Sequence, residues 1–120
     1  MSRAQPEAAL QKSVAIMLRL KYPKLLWFHV PNSSIGPVQW RKKLADMWVR
    51  AGVPDLVFIF PGGHIGLIEL KAPKGGTLSD AQKGFRDAAV ARGALWAVCR
   101  TLGEVDRLVG AWEAYSRAAA

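Results

Sequence analysis

The sequence predicts an α/β domain in which a mixed β-sheet is covered by helices. Three observations predict it. Four segments carry apolar residues at helical spacing, and four others are short apolar runs bounded by turn formers. The two kinds alternate in the order helix, strand, helix, strand, strand, helix, strand, helix, the pattern of a sheet with crossover helices. The 120 residues are 51% hydrophobic with five Trp, enough for one core without staples. The whole chain, 1–120, is therefore expected to form a single domain, with residues 1–5 and 116–120 frayed.

From about Pro6 to Leu20 the chain is expected to be helical, because Leu10, Val14, Met17 and Leu18 fall on one stripe. Pro6 suits a first turn, where its missing N–H costs little. Glu7 lies along the stripe. It is either a first-turn acid favoured by the helix dipole or an acid aimed at a site on the sheet. Leu25 to Val30 reads as a strand, ended by the turn formers of "PNSSIGP". Trp40 to Ala51 is expected to form a second helix with Trp40, Leu44, Met47 and Trp48 facing inward. Arg41, Lys42, Lys43 and Arg50 lie off that stripe, as solvated charges or as phosphate contacts.

Leu56 to Phe60 and Ile65 to Lys71 read as strands joined through "PGG". A third helix starts at "SDAQ" and runs to about Arg92. "ALWAVC" has the uninterrupted apolar character of a buried strand. A last helix from Thr101 to about Ser116 turns Val105, Leu108, Val109 and Trp112 inward. Each Trp belongs either to the core or to an interface.

Composition narrows the function classes. Cys99 is the single cysteine, so no disulfide forms within the chain. A reducing cytoplasmic setting fits, with Cys99 an inert core residue. The longest N-terminal apolar run, "VAIML", is too short to span a bilayer. Lys plus Arg total 17 against 9 Asp plus Glu, a net charge of +8, which favours a polyanionic partner, nucleic acid before a membrane surface.

The stretch "GHIGLIELKAPKGG" carries the chemistry. Glu69 and Lys71 are two residues apart on an apolar strand and so share one face. A solvated ion pair is the plain explanation, worth about 0–1 kcal/mol. A second acid argues for more. Asp55 follows Gly52-Val53-Pro54 at the mouth of the preceding strand; it is also an ordinary turn residue. With Gly62-Gly63 as a two-residue loop, Asp55 would oppose Leu70 and face away from Glu69. With Pro61-Gly62-Gly63 as a three-residue loop, Asp55 opposes Glu69. The second register is expected, through that loop or a bulge of equal effect. It sets two carboxylates at about 5 Å between Cβ atoms, a poor place for bare like charges and a good one for a divalent cation.

Those ligands, with the Leu70 backbone carbonyl as a further candidate, are hard oxygens that suit Mg²⁺ or Mn²⁺. Zinc is disfavoured by the single Cys and by the separation of His29 and His64. Lys71 would then orient a water or stabilise charge developing on a phosphate.

Pro54-Asp55, thirteen intervening residues and Glu69-Leu70-Lys71 resemble the motif of the PD-(D/E)XK nuclease superfamily. The ordered set "PEAALQKSVAIML", "HVPNSS", "AGVPDLVFI", "LIELKAPKGGTLSDAQ" and "ALWAVC" is similar to small VRR-NUC (virus-type replication and repair nuclease) domains over about residues 6 to 112. The resemblance implies a restriction-endonuclease-like α/β core, with Asp55 and Glu69 as metal ligands and Lys71 as the catalytic lysine. Gln82 and Glu7 would be accessory site residues. It also implies a homodimer acting on branched DNA such as a Holliday junction, in a bacterium or a phage-infected cell. Gln82 has a competing explanation, because Ser79-Asp80-Ala81-Gln82 is a capping box, and the two roles are expected to compete for one side-chain conformation. Asn32 is a turn residue or a backbone contact near the site.

The expected function is thus a Mg²⁺- or Mn²⁺-dependent endonuclease. Asn32, Arg41, Lys42, Lys43, Lys74, Lys83 and Arg86 are candidate nucleic-acid contacts, salt-sensitive and largely blind to sequence. The alternatives are a DNA-binding module of the same fold that does not cut, a nicking or flap nuclease, and a basic α/β protein whose acids merely solvate a strand end.

Overall fold

The computed structural model describes residues 4–31, 42–44 and 46–120. Helix α1, Ala4–Lys21, leads into strand β1, Leu26–His29. Strands β2, Leu56–Ile59, and β3, Ile65–Leu70, form a hairpin. Helix α2, Asp80–Ala91, connects β3 to strand β4, Leu95–Cys99, and helix α3, Leu102–Ala119, ends the chain. The sheet has the order β1-β2-β3-β4, antiparallel except for the β3–β4 pair. The α/β class and the mixed sheet expected from the sequence are both present.

Alternation along the strands divides the sheet into two faces. Leu56, Phe58, Ile68, Leu70 and Cys99 point to one side, where α1 supplies Val14 and Leu18 and α3 supplies Val105 and Val109. All of these are buried, and this is the core. The other face carries Val57, Leu67 and Trp96. Helix α2 lies there, with Phe85, Ala88 and Ala89 beside Val57 and Leu67, and Arg86 over the Trp96 ring at 5.6 Å. Cys99 lies in the core as expected, 2% exposed, and burial pushes its thiol up to about 11.

The hairpin adopts the three-residue loop. Pro61–Gly63 forms a tight turn, the Phe60 N–H donates to the His64 carbonyl at 2.8 Å, and Leu56 pairs with Ile68. Continuing that register by one residue sets Asp55 against Glu69.

Three expectations are corrected. The second helix ends earlier than expected: residues 42–44 and 46 are helical and a turn follows at 47–48, so Met47 (64% exposed) and Trp48 (92%) face outward. Trp40 lies outside the described residues. The strand at "ALWAVC" is an edge of the sheet rather than a buried centre, because among the described residues it pairs with β3 alone; Leu95 to Val98 are half-buried, whereas Cys99 is fully enclosed. The last helix extends beyond Ser116. That residue is buried and the helix continues to Ala119.

Candidate active site

Asp55 and Glu69 meet where the hairpin opens toward β1. Glu69 is 5% exposed although it is an acid. Asp55 is half-buried. Its Oδ2 accepts the Leu70 N–H at 2.7 Å, and its backbone carbonyl accepts from Val30 N–H at 2.8 Å, with His29 Nδ1 2.9 Å away. The Asp55 backbone is thereby tied to β1 and its side chain to β3.

The electrostatics follow from that placement. Burial first, and then the Asp55 charge, push the Glu69 carboxyl up to about 8, against a downward pull from Lys71. Burial likewise raises Asp55, while the Leu70 N–H and a hydrogen bond with Glu69 oppose the rise. The negative charge of Asp55 thus disfavours ionisation of Glu69 beyond what burial alone does.

Lys71 closes one side. Its Nζ lies 3.7 Å from Glu69 Oε1 and 3.2 Å from Gln82 Oε1, and its side chain is only 13% exposed. The plain reading of Glu69 and Lys71 as a solvated surface pair therefore fails, because both are withdrawn from water. Gln82 closes the other side, and here the expected competition does not occur. Ser79 Oγ accepts the Gln82 N–H at 3.1 Å and Gln82 Oε1 accepts the Ser79 N–H at 2.9 Å, which completes the capping box. In the same conformation Gln82 Nε2 donates to Glu69 Oε1 at 2.9 Å. An amide has an oxygen for the cap and an NH₂ for the carboxylate, so one rotamer serves both.

Glu7 reaches the site from the first turn of α1. Its Oε1 is 3.4 Å from the Ala72 N–H, and its charge helps raise both Asp55 and Glu69. Asp55, Glu69 and Gln82 line a cleft of about 440 Å³ together with Val49, Arg50 and Gly52. Among the described residues no three His, Cys, Asp or Glu gather closely enough to hold an ion by themselves.

The candidate nucleic-acid residues are dispersed. Lys42, Lys43, Lys74 and Lys83 are exposed, Lys74 in the loop after Lys71 and Lys83 beside Gln82. Arg86 is already engaged, stacked over Trp96 and 2.9 Å from Asp87 Oδ1. Asn32 and Arg41 lie outside the described residues.

Two site-building residues were missed from sequence. Arg100, just past β4, donates from its guanidinium to the carbonyls of Ala72, Gly75 and Gly76, at 2.5–2.9 Å, and so clamps the loop that follows Lys71. Its one local signal was its place directly after an apolar strand. Gly52 has φ +85, and a Cβ there would stand 2.3 Å from the Ala81 carbonyl oxygen. It permits the "GVPD" segment to lie against the first turn of α2 beside Gln82.

The model of the VRR-NUC domain family matches residues 4–102. A solved structure described as a VRR_NUC domain protein superposes with a TM-score of 0.69 at 22% identity, covering 88% of this chain and 85% of that one. A second, described as a VRR_NUC domain, gives 0.60 at 23% identity, covering 88% and 95%. No curated protein matches the chain.

Proposed function

Because the chain belongs to the VRR-NUC domain family, a nuclease-type domain, we propose that it is a Mg²⁺- or Mn²⁺-dependent endonuclease that hydrolyses DNA phosphodiester bonds. The observation that carries this reading is the pairing of two withdrawn carboxylates, Asp55 and Glu69, on adjacent strands, with the Lys71 ammonium and the Gln82 amide on Glu69. The fit to a hard cation rests on the donor set. Two carboxylates that repel each other and resist ionisation are relieved by a divalent ion, and two protein ligands suit Mg²⁺ or Mn²⁺, which keep waters and accept phosphate oxygens. The Leu70 carbonyl is a further candidate ligand. When bound, the cation supplies Lewis acidity toward a phosphate oxygen and makes water more acidic.

The chain's own groups do the rest. In hydrolysis a water oxygen bonds to the scissile phosphorus and the phosphorus–oxygen bond to the leaving strand breaks. Lys71 holds three donors; two face Gln82 and Glu69, leaving one for the attacking water or a non-bridging phosphate oxygen. Gln82 fixes the Glu69 carboxylate through Nε2, so that Glu69 keeps its orientation while Lys71 donates to the water or the phosphate. Glu7 adds negative potential at the same corner. The basic excess of +8 supplies sequence-independent affinity for the phosphate backbone.

The reading extends to branched DNA and to a homodimer. Leu26, Phe28 and Ile59 are exposed on one face of the β1 edge, an apolar surface that a second copy could cover. Light scattering of the purified chain decides the oligomer.

The test is cleavage of labelled four-way-junction and linear duplex DNA in EDTA, Mg²⁺ or Mn²⁺, beside Lys71→Ala. Metal-dependent cutting that is lost in the variant supports the nuclease. Binding without cutting on every substrate and in every metal overturns it in favour of a binding module.

A further inference from the structure

We infer that Trp48 is a stacking platform for an unstacked nucleobase of the substrate, beside the cleft that holds Asp55 and Glu69. This deepens the nuclease reading and rests on it.

Trp48 is unusual in two independent ways. Its φ is +64, the one positive value outside glycine among the described residues. Its side chain is 92% exposed, although Trp is among the more buried residue types. The helix end explains how it is presented. The Val49 N–H returns to the Leu44 carbonyl at 3.0 Å, and the Met47 N–H to the Lys43 carbonyl at 3.1 Å. That is a Schellman-type ending with Trp48 at the left-handed position, where glycine or asparagine is usual. The fold thus places its largest side chain where a small residue would serve the backbone better, and then leaves it in water.

The neighbours say what covers it. Val49 and Arg50, the next two residues, line the cleft of Asp55, Glu69 and Gln82. Arg50 lies over the Phe85 ring at 5.5 Å, which pins this segment to α2. Lys42, Lys43 and Arg50 outnumber Asp46 across residues 42–50, so the surroundings are cationic. An aromatic plane amid cations, next to a hydrolytic cleft, matches a base stacked on the ring with its phosphates toward Lys and Arg. A second copy of the chain fits less well: a two-fold contact through Trp48 would set Lys42, Lys43 and Arg50 against their own images. A base inside an intact duplex is not free to stack on a side chain. Trp48 therefore favours DNA with an unpaired or junction base near the scissile phosphate.

The experiment measures binding, apart from chemistry, by titrating labelled single-strand, four-way-junction and linear duplex DNA in EDTA and in Ca²⁺. The proteins are wild type, Trp48→Gly and Trp48→Phe, each with its melting temperature and solution mass. Glycine suits the positive φ, so Trp48→Gly is expected to melt no lower than wild type. It should bind single strands and junctions at least about fivefold more weakly, and linear duplex nearly as before. Trp48→Phe should keep most of the affinity. Equal affinity of Trp48→Gly and wild type overturns the inference, as does the same loss on all three substrates. A lowered melting temperature would make Trp48 a structural residue, and a fall from dimer to monomer would make it an interface between copies; either result overturns the inference too. Wild-type protein that cuts DNA while Trp48→Gly is unaffected rejects this inference alone; wild-type protein that binds no nucleic acid rejects the nuclease reading with it.

Discussion

Gly52 and Gly63 offer a matched pair of substitutions. Both have positive φ, +85 and +77. A Cβ on Gly63 would meet nothing within 4 Å, whereas on Gly52 it would stand 2.3 Å from the Ala81 carbonyl oxygen and 2.9 Å from the Gln82 nitrogen. Gly63→Ala should therefore carry only the left-handed backbone penalty, about 1–2 kcal/mol. Gly52→Ala carries that penalty plus a collision with backbone atoms, which cannot rotate away. Relief needs a shift of about 1 Å between the "GVPD" segment and α2, to reach ordinary contact distance. Overpacking of that kind costs about 1–3 kcal/mol more. Urea unfolding followed by circular dichroism should place Gly52→Ala about 2–5 kcal/mol below wild type, with Gly63→Ala about 1–2 kcal/mol below. The displaced helix end carries Gln82, so Gly52→Ala should also lose most cleavage at temperatures where it is still folded, and Gly63→Ala should not. Equal midpoints for the two variants would refute the close approach of Gly52 to α2.

Three further outcomes are expected. In EDTA, stability should fall as pH rises from about 4.5 to about 8, because the folded Glu69 keeps a proton that the unfolded chain has released. One such proton gives at most about 1.4 kcal/mol per pH unit; Asp55→Asn should flatten the slope, Mg²⁺ should raise the melting temperature most at the alkaline end, and a melting temperature constant across this range in EDTA would contradict the buried pair. Ser79→Ala should lose about 1 kcal/mol of stability with cleavage largely kept, whereas Gln82→Ala should lose both cap and cleavage; denaturation and single-turnover assays separate them. Arg100→Ala frees the loop after Lys71 and should lower the cleavage rate more than DNA affinity, which single-turnover and binding titrations compare.

The acidic pair was legible because a strand has period two and the loop has odd length. Those facts alone turn Asp55 and Glu69 to one side. The helices around the core were legible from their stripes, and Val14, Leu18, Val105 and Val109 are buried as the spacing requires. The failures have physical causes. Nothing local marks Trp48 as a left-handed residue, since no Gly or Asn stands there, so the apolar spacing of Met47 and Trp48 was extended past the true helix end. The apolar run of β4 does not say whether one strand or two will flank it. Arg100 and Gly52 act through contacts with segments 24 or more residues away, which no periodicity encodes.

Gln82 sits half-buried on a surface helix, where most substitutions are tolerated. Its amide must accept from Ser79 and Lys71 and donate to Glu69 at one length. Glutamate keeps the acceptor but brings a further negative charge against Glu69, asparagine stops a methylene short, and every apolar choice abandons all three partners. Of the twenty residues, glutamine alone meets the full requirement. Substitution at this position is thus expected to be as poorly tolerated as at a buried core position, because it would break the helix cap and the Glu69 contact in a single event.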